Sequence, residues 1–237
     1  MALAKSKIRA FIFDMDGTMI DSMPTHNFAW TVFAKRHGLV ISDADIAHRT
    51  MGRTGAECMA ELFGRAMSAD EAHALVQQKE AAYRELFAPE FREVTGFKAF
   101  LHAAHKARVP YAVGTAGDAA NVAFALSHLF SEAEAHLIPS VVVRGDMGLP
   151  GKPQPAIFLE AARQLGHQPS ECLVFEDAPQ GIEAARRAGM QAVAIVSSHR
   201  AEELMGEHVI ASTSDFATLW TELNARLCGN NSNNFNF

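Results

Sequence analysis

The 237-residue chain is poor in cysteine: its three stand at positions 58, 172 and 228, an odd number without the paired spacing of a zinc site. A disulfide framework is thereby excluded, and a reducing compartment, the cytoplasm, is expected. Basic residues are not in excess either, since 21 Lys and Arg face 27 Asp and Glu, the net charge is −6, and no Lys/Arg block recurs. A surface that reads a nucleic-acid backbone has no electrostatic support here, so nucleic acid is excluded as a partner. Long apolar runs are also missing. The apolar stretch after the basic N-terminal residues is only a few residues long and ends in Asp14, so it reads as a strand and not as a signal peptide or membrane span. Internal repeats are absent, which sets solenoids aside.

What remains is an ordinary globular composition. With 49% hydrophobic and 20% charged residues the chain can bury a substantial core. The Asn-rich end, residues 229–237, is the exception and reads as a disordered tail. Short apolar runs end in polar residues at Ile8 to Asp14, Tyr111 to Thr115, Val141 to Val143, Cys172 to Asp177 and Gln191 to Val196, with helical patterns between them. Alternation of this kind predicts an α/β fold with a Rossmann-like parallel-sheet core, whose ligands bind beyond the carboxyl ends of the strands. From Asp21 to about Val94 only helical patterns occur. A helical cap domain over 21–95 is therefore expected to interrupt a core built from 1–20 and 96–228, with helix starts at Ser22, at Ser42 with Asp45, at Ser68 with Glu71, and a return hinge near Gly96.

The segment FIFDMDGT, residues 11–18, places two carboxylates two apart after an apolar strand. Asp14 at the strand end can attack phosphorus, and Asp16 can protonate the leaving oxygen and later deprotonate water. Two carboxylates alone would repel a phosphate dianion, so a cation is required. Glu176 and Asp177, ending another strand, add hard oxygen ligands suited to Mg²⁺. Thr115 and the amides of Ala116 and Gly117 can cradle phosphate oxygens, and Lys152 in LPGKPQP supplies a fixed positive charge. Taken singly, the Asp14/Asp16 pair could be a strand-end turn, and Glu176 and Asp177 could cap a helix starting at Pro179. A P-loop is rejected because Pro153 stands where Ser or Thr is needed. His102 and His105 are spaced i and i+3 but lack an evident third ligand, so they read as surface histidines.

Four segments in order, DMDGT, GT, GKPQP and FEDAPQGIEAARRAG, resemble the signature motifs of the haloacid dehalogenase superfamily. The chain resembles most the β-phosphoglucomutase-like branch, and within it the small sugar-phosphate phosphatases of fructose-1-phosphate type, over about Lys7 to Val196. The resemblance implies that Asp14 is the nucleophile and Asp16 the acid/base. Asp14, the Asp16 carbonyl and Asp177 would hold Mg²⁺ beside Glu176, and Thr115 and Lys152 would hold the phosphate. In the cap, His26 in DSMPTHNFAW and Lys79 in QQKEAAY match substrate-facing positions of the family. Family mutases carry an Arg three residues after the cap glycine matched by Gly52; here Gly55 stands there and Arg53 directly follows Gly52. That departure favours a Mg²⁺-dependent phosphatase of sugar or polyol phosphates over the alternative, a β-phosphoglucomutase. A small phosphorylated metabolite is the expected partner, the chain acting as a monomer, with a homodimer as the alternative.

Overall fold

Parallel strands covered on both faces are apolar at nearly every position, because neither side of the sheet meets water. The computed structural model describes residues 8–50 and 55–227, and its strands follow this rule. β1 (Ala10–Phe13), β2 (Tyr111–Gly114), β4 (Cys172–Glu176) and β5 (Gln191–Ile195) are buried along almost their whole length. β3 (Val141–Val143) and β6 (Val209–Thr213) form the edges and are partly exposed. All six pair in parallel, in the order β3-β2-β1-β4-β5-β6. With α5 (Phe97–Lys106), α6 (Ala119–Leu129), α7 (Ala156–Leu165), α8 (Pro179–Arg187) and α9 (Leu219–Leu227), this is the Rossmann-like α/β core. β6 is the strand that the apolar pattern did not predict.

Side-chain alternation along β1 sorts the core into two chemistries. Phe11 and Phe13 point to one face, where Phe11 meets Phe100 at 5.7 Å and Phe13 meets Phe97 at 5.3 Å between ring centroids. Phe175 and Phe216 complete that aromatic layer. Ala10 and Ile12 point to the other face, against Ile157, Phe158 and Ala161 of α7 and Ala184 and Ala185 of α8. Small residues on that side let the two helices approach the sheet closely.

The chain divides into two compact units, residues 1–21 with 92–237, and residues 22–91. The first unit resumes at Arg92, whose carbonyl accepts from the Asp21 amide at 3.1 Å and whose Nε donates to the Asp21 carboxylate at 2.7 Å. Gly96, expected as the hinge, lies inside this unit: a Cβ on it would come within 2.8 Å of the Ala217 nitrogen. Its positive φ of 79° starts α5, a few residues past the division of the units at 91/92.

The second unit contains α1 (Met23–Arg36), α2 (Asp43–Thr50), α3 (Gly55–Phe63) and α4 (Ala69–Phe87). Ser68 accepts from the Glu71 amide at 3.2 Å and Ser42 from the Asp45 amide at 3.1 Å, so both cap their helices as the sequence suggests. Ser22 does not: its side chain makes no capping bond, and a proline in the first turn sets the start of α1. Ala34, Ile46 and Leu62 form the small core of this unit, flanked by Trp30, Leu39 and Phe63. No helix among the described residues is long and apolar enough to cross a membrane. Cys58 and Cys172 are buried and form no disulfide. Gly52, Arg53, Cys228 and the expected tail at 229–237 lie outside the described residues.

Candidate active site

The strand order reverses direction between β1 and β4, and open parallel sheets bind ligands outside the carboxyl ends of the strands at such a switch point. Phe13 and Phe175 are register partners with rings stacked at 4.6 Å, and the Asp14 amide donates to the Phe175 carbonyl at 2.9 Å. The next residues along each strand, Asp14 and Glu176, therefore leave the sheet side by side. Together with Asp177 they bring carboxylate oxygens within 4.8 Å of one another, and all three are buried. No other group of three His, Cys, Asp or Glu among the described residues is so close. Glu176 and Asp177 are not helix caps: the residue capping α8 is Ala178, without a side-chain capping bond.

Among the described residues a single cation, Lys152, is hydrogen-bonded to these acids. Lys152, from the connection between β3 and α7, donates from Nζ to Asp14 Oδ1 at 2.5 Å and to Glu176 Oε1 at 3.1 Å. Glu176 also accepts from the Asp177 amide at 2.9 Å. Its position depends on Gly181 in the first turn of α8, because a Cβ there would overlap the Glu176 carboxylate. Asp177 accepts hydrogen bonds from Ser198 Oγ and, at 3.5 Å, from Thr18 Oγ1, while its carbonyl lies 3.1 Å from His199 Nδ1. Ser197 donates to the Gly17 carbonyl in the turn after Asp14. Sequence reading missed Thr18, Ser197 and Ser198. The signal that could have found the two serines is their position just past the carboxyl end of β5.

Charge is unbalanced in this cluster. Burial, and then the neighbouring Glu176 charge, push the Asp14 carboxyl well above its ordinary range even though Lys152 pulls the other way. Burial, against the pull of Lys152, likewise raises Glu176 to about 7, and burial with the Asp14 charge raises Asp177 to about 7. Lys152 moves in the opposite sense. Burial alone would lower it, but the Asp14 and Glu176 charges hold it above the ordinary lysine value, so it is an ammonium at any physiological pH. One lysine thus fails to compensate three buried acids, and a divalent cation is the species that would. The oxygen-only donor set suits a hard ion such as Mg²⁺.

Thr115 ends β2 and is buried, its amide donating to the Val143 carbonyl at 3.0 Å. Its hydroxyl accepts from the Gly117 amide at 2.9 Å, so Gly117, read from sequence as a phosphate donor, is already committed within the loop. Ala116, the next residue, is exposed. Gly145 is required beside it, since a Cβ at that position would run into the Ala116 carbonyl. Asp16 follows Asp14 in a turn made possible by Gly17 at φ 78°, and it stands outside the group of three close carboxylates.

His26 and Lys79 meet within the helical unit. Lys79 is only 3% exposed and is not the solvated helix charge that a lone lysine suggests. Its Nζ lies 2.9 Å from His26 Nδ1 and 3.0 Å from Glu80 Oε1, and 4.9 Å over the Trp30 ring. The imidazole stacks on Tyr83 at 3.6 Å, which fixes its plane.

Residues 8–189 match the haloacid dehalogenase-like hydrolase family. The chain is 36% identical over 202 residues to validoxylamine A 7′-phosphate phosphatase from Streptomyces hygroscopicus subsp. limoneus, covering 84% of this chain and 91% of that protein. It is 37% identical over 184 residues to fructose-1-phosphate phosphatase YqaB from Escherichia coli (strain K12), covering 77% and 93%. Among solved structures, a HAD hydrolase of family IA, variant 3, from Entamoeba histolytica HM-1:IMSS is similar with a TM-score of 0.80 at 28% identity, covering 94% of this chain and 100% of that one.

Proposed function

The chain belongs to the haloacid dehalogenase-like hydrolase family, and on that premise we propose that it is a Mg²⁺-dependent phosphatase of small sugar or polyol phosphates that works through a phosphorylated Asp14. The observation that carries this reading is the buried group of Asp14, Glu176 and Asp177 at the switch point, with Lys152 hydrogen-bonded to Asp14. The substrate class follows the phosphate esters for which the two phosphatase relatives are named.

In this reading the Asp14 carboxylate attacks phosphorus, the ester P–O bond breaks, and Asp16 gives its proton to the leaving oxygen. Asp16, now ionised, takes a proton from water, the water oxygen attacks the acyl phosphate, and Asp14 is released with inorganic phosphate. Lys152 stays charged throughout, so it serves as a fixed donor to a phosphoryl oxygen and never as a base. Thr115 and the Ala116 amide bind the remaining oxygens. Mg²⁺, held by Asp14, Asp177 and the Asp16 carbonyl with Glu176 beside them, would neutralise phosphoryl charge and keep Asp14 ionised against its burial. Ser198 and Thr18 orient Asp177 for that task. His26, Arg53 and Lys79 are proposed as specificity residues.

A phosphoglucomutase is the rival within the same chemistry. The family arginine it needs would fall at Gly55, where a Cβ would come within 2.9 Å of Val76 Cγ2, so that a larger residue there would require Val76 to shift. The test is phosphate release from a panel including fructose 1-phosphate, 6-phosphogluconate and β-glucose 1-phosphate, with Mg²⁺ and with EDTA. Mg²⁺-dependent release is expected. Conversion of β-glucose 1-phosphate to glucose 6-phosphate only when a bisphosphate is added, with no release, would establish the mutase instead.

A further inference from the structure

At the opposite end of the strands from the carboxylates, where β2 begins, lies a cavity of about 520 Å³. It is lined by four basic residues, His105, Lys106, Arg108 and His136, with Tyr111 and Ile138 among the apolar ones. No Asp or Glu lines it among the described residues. The acid nearest along the chain, Glu134, is engaged elsewhere by Lys98 at 2.7 Å and by Ser131.

Arg108 adds an independent observation. It is the one non-glycine residue with positive φ among the described residues, at 58°. The turn it occupies recurs in this chain. After α1 the amides of Gly38 and Leu39 donate to Lys35 and Ala34, and after α8 those of Gly189 and Met190 donate to Arg186 and Ala185. After α5 the amides of Arg108 and Val109 donate to His105 and Ala104 in the same pattern. Glycine fills the left-handed position in the first two, as its missing Cβ favours. At the third the strained left-handed position holds the long cation Arg108, at the end of a helix whose last turn already contains Lys106 and His105. Neither Lys106 nor Arg108 pairs with a carboxylate among the described residues.

We propose that this cavity binds a small organophosphate, its phosphate held by Arg108 and Lys106 with His105 and His136 at the rim, and its apolar body against Tyr111 and Ile138. The described lining offers no acid to hold a divalent ion, so the site is proposed to bind the ligand and not to hydrolyse it. It is a second site, separated from Asp14 by the length of the strands. The proposal does not depend on which ester the first site hydrolyses.

Phenylphosphonate is a suitable probe, because its P–C bond is not a substrate for ester hydrolysis. It is titrated into the full chain while the imidazole signals of His105 and His136, assigned by single His→Gln substitutions, are followed by NMR at constant ionic strength. Both signals are expected to shift along a saturable curve. In Arg108→Gly, which removes one charge-assisted contact but suits the left-handed backbone, the midpoint should rise by about tenfold or more. The thermal midpoint and phosphate release without added probe should be unchanged or better. Absence of a shift at His105 and His136, the same shift with sodium chloride alone, or an equal midpoint in Arg108→Gly would each overturn the proposal.

Discussion

Gly181→Ala sets two well-known effects against each other at one atom. In a helix, alanine is ordinarily favoured over glycine by about 1 kcal/mol. At position 181 the added Cβ would land on the Glu176 carboxylate, which at 2% exposure has no solvent to turn toward. Displacing that carboxylate breaks its contact with Lys152 at 3.1 Å and its bond from the Asp177 amide at 2.9 Å. Each is a hydrogen bond to a charged group, worth about 1.5–3 kcal/mol, so a loss of about 3–6 kcal/mol outweighs the gain in helix propensity and leaves about 2–5 kcal/mol of net destabilisation. For a protein of this size the thermal midpoint should fall by roughly 4–20 °C. Thermal melts followed by circular dichroism read this directly, and phosphate release should fall in parallel as Lys152 and Asp177 lose their shared partner. An unchanged or raised midpoint would refute the argument that Gly181 is there to seat Glu176.

Other substitutions probe the site in different ways. Asp14→Asn should abolish phosphate release, whereas Asp16→Asn should slow it by about 10²–10⁴-fold and leave substrate binding measurable by calorimetry. Ser198→Ala should raise the Mg²⁺ concentration needed for half-maximal activity by about 10–100-fold, since it removes the hydroxyl that orients Asp177. The pH response of the metal-free protein has a definite sign. Glu176 and Asp177 have folded-state values raised to about 7, so the stability they lend is present in acid and is lost as pH rises from the free-carboxyl range through 7. Thermal midpoints in EDTA should decline between pH 5 and 8 by this contribution, and Mg²⁺ should recover the loss most strongly at the alkaline end. A Mg²⁺ effect of equal size at pH 5 and pH 8 would contradict it.

The parts of this fold that were legible beforehand are those in which one physical requirement dominates a short stretch. β1, β2 and β4 are buried on both faces and so are apolar runs, each stopped by the polar residue it presents, and β5 is buried after its first residue. β6 has only Ala211 buried, and its VIAST sequence pairs with β5 alone, so it lacks the pattern that betrays a central strand. Ser42 and Ser68 act locally and could be read locally; the start of α1 is governed instead by a proline and by the burial of Ser22. Asp14, Glu176 and Asp177 could be named because few chemistries need acids at those strand ends, and Lys152 because its loop supplies the cation they require. Thr18 and Ser198 are single hydroxyls whose value comes wholly from distance to Asp177. Lys79 shows the same limit. Its burial against His26, Glu80 and Trp30 is a property of helix packing and leaves no mark in QQKEAAY.

The central claim is that Asp14 itself carries the phosphoryl group during turnover. The most direct test is an acid quench of the enzyme in the steady state with Mg²⁺ and its best substrate, followed by peptic digestion and mass spectrometry. The account predicts one phosphoryl mass increment on the peptide containing Asp14, absent in EDTA and absent in Asp14→Asn. An increment on a different residue, or full turnover by Asp14→Asn without any increment, would contradict it.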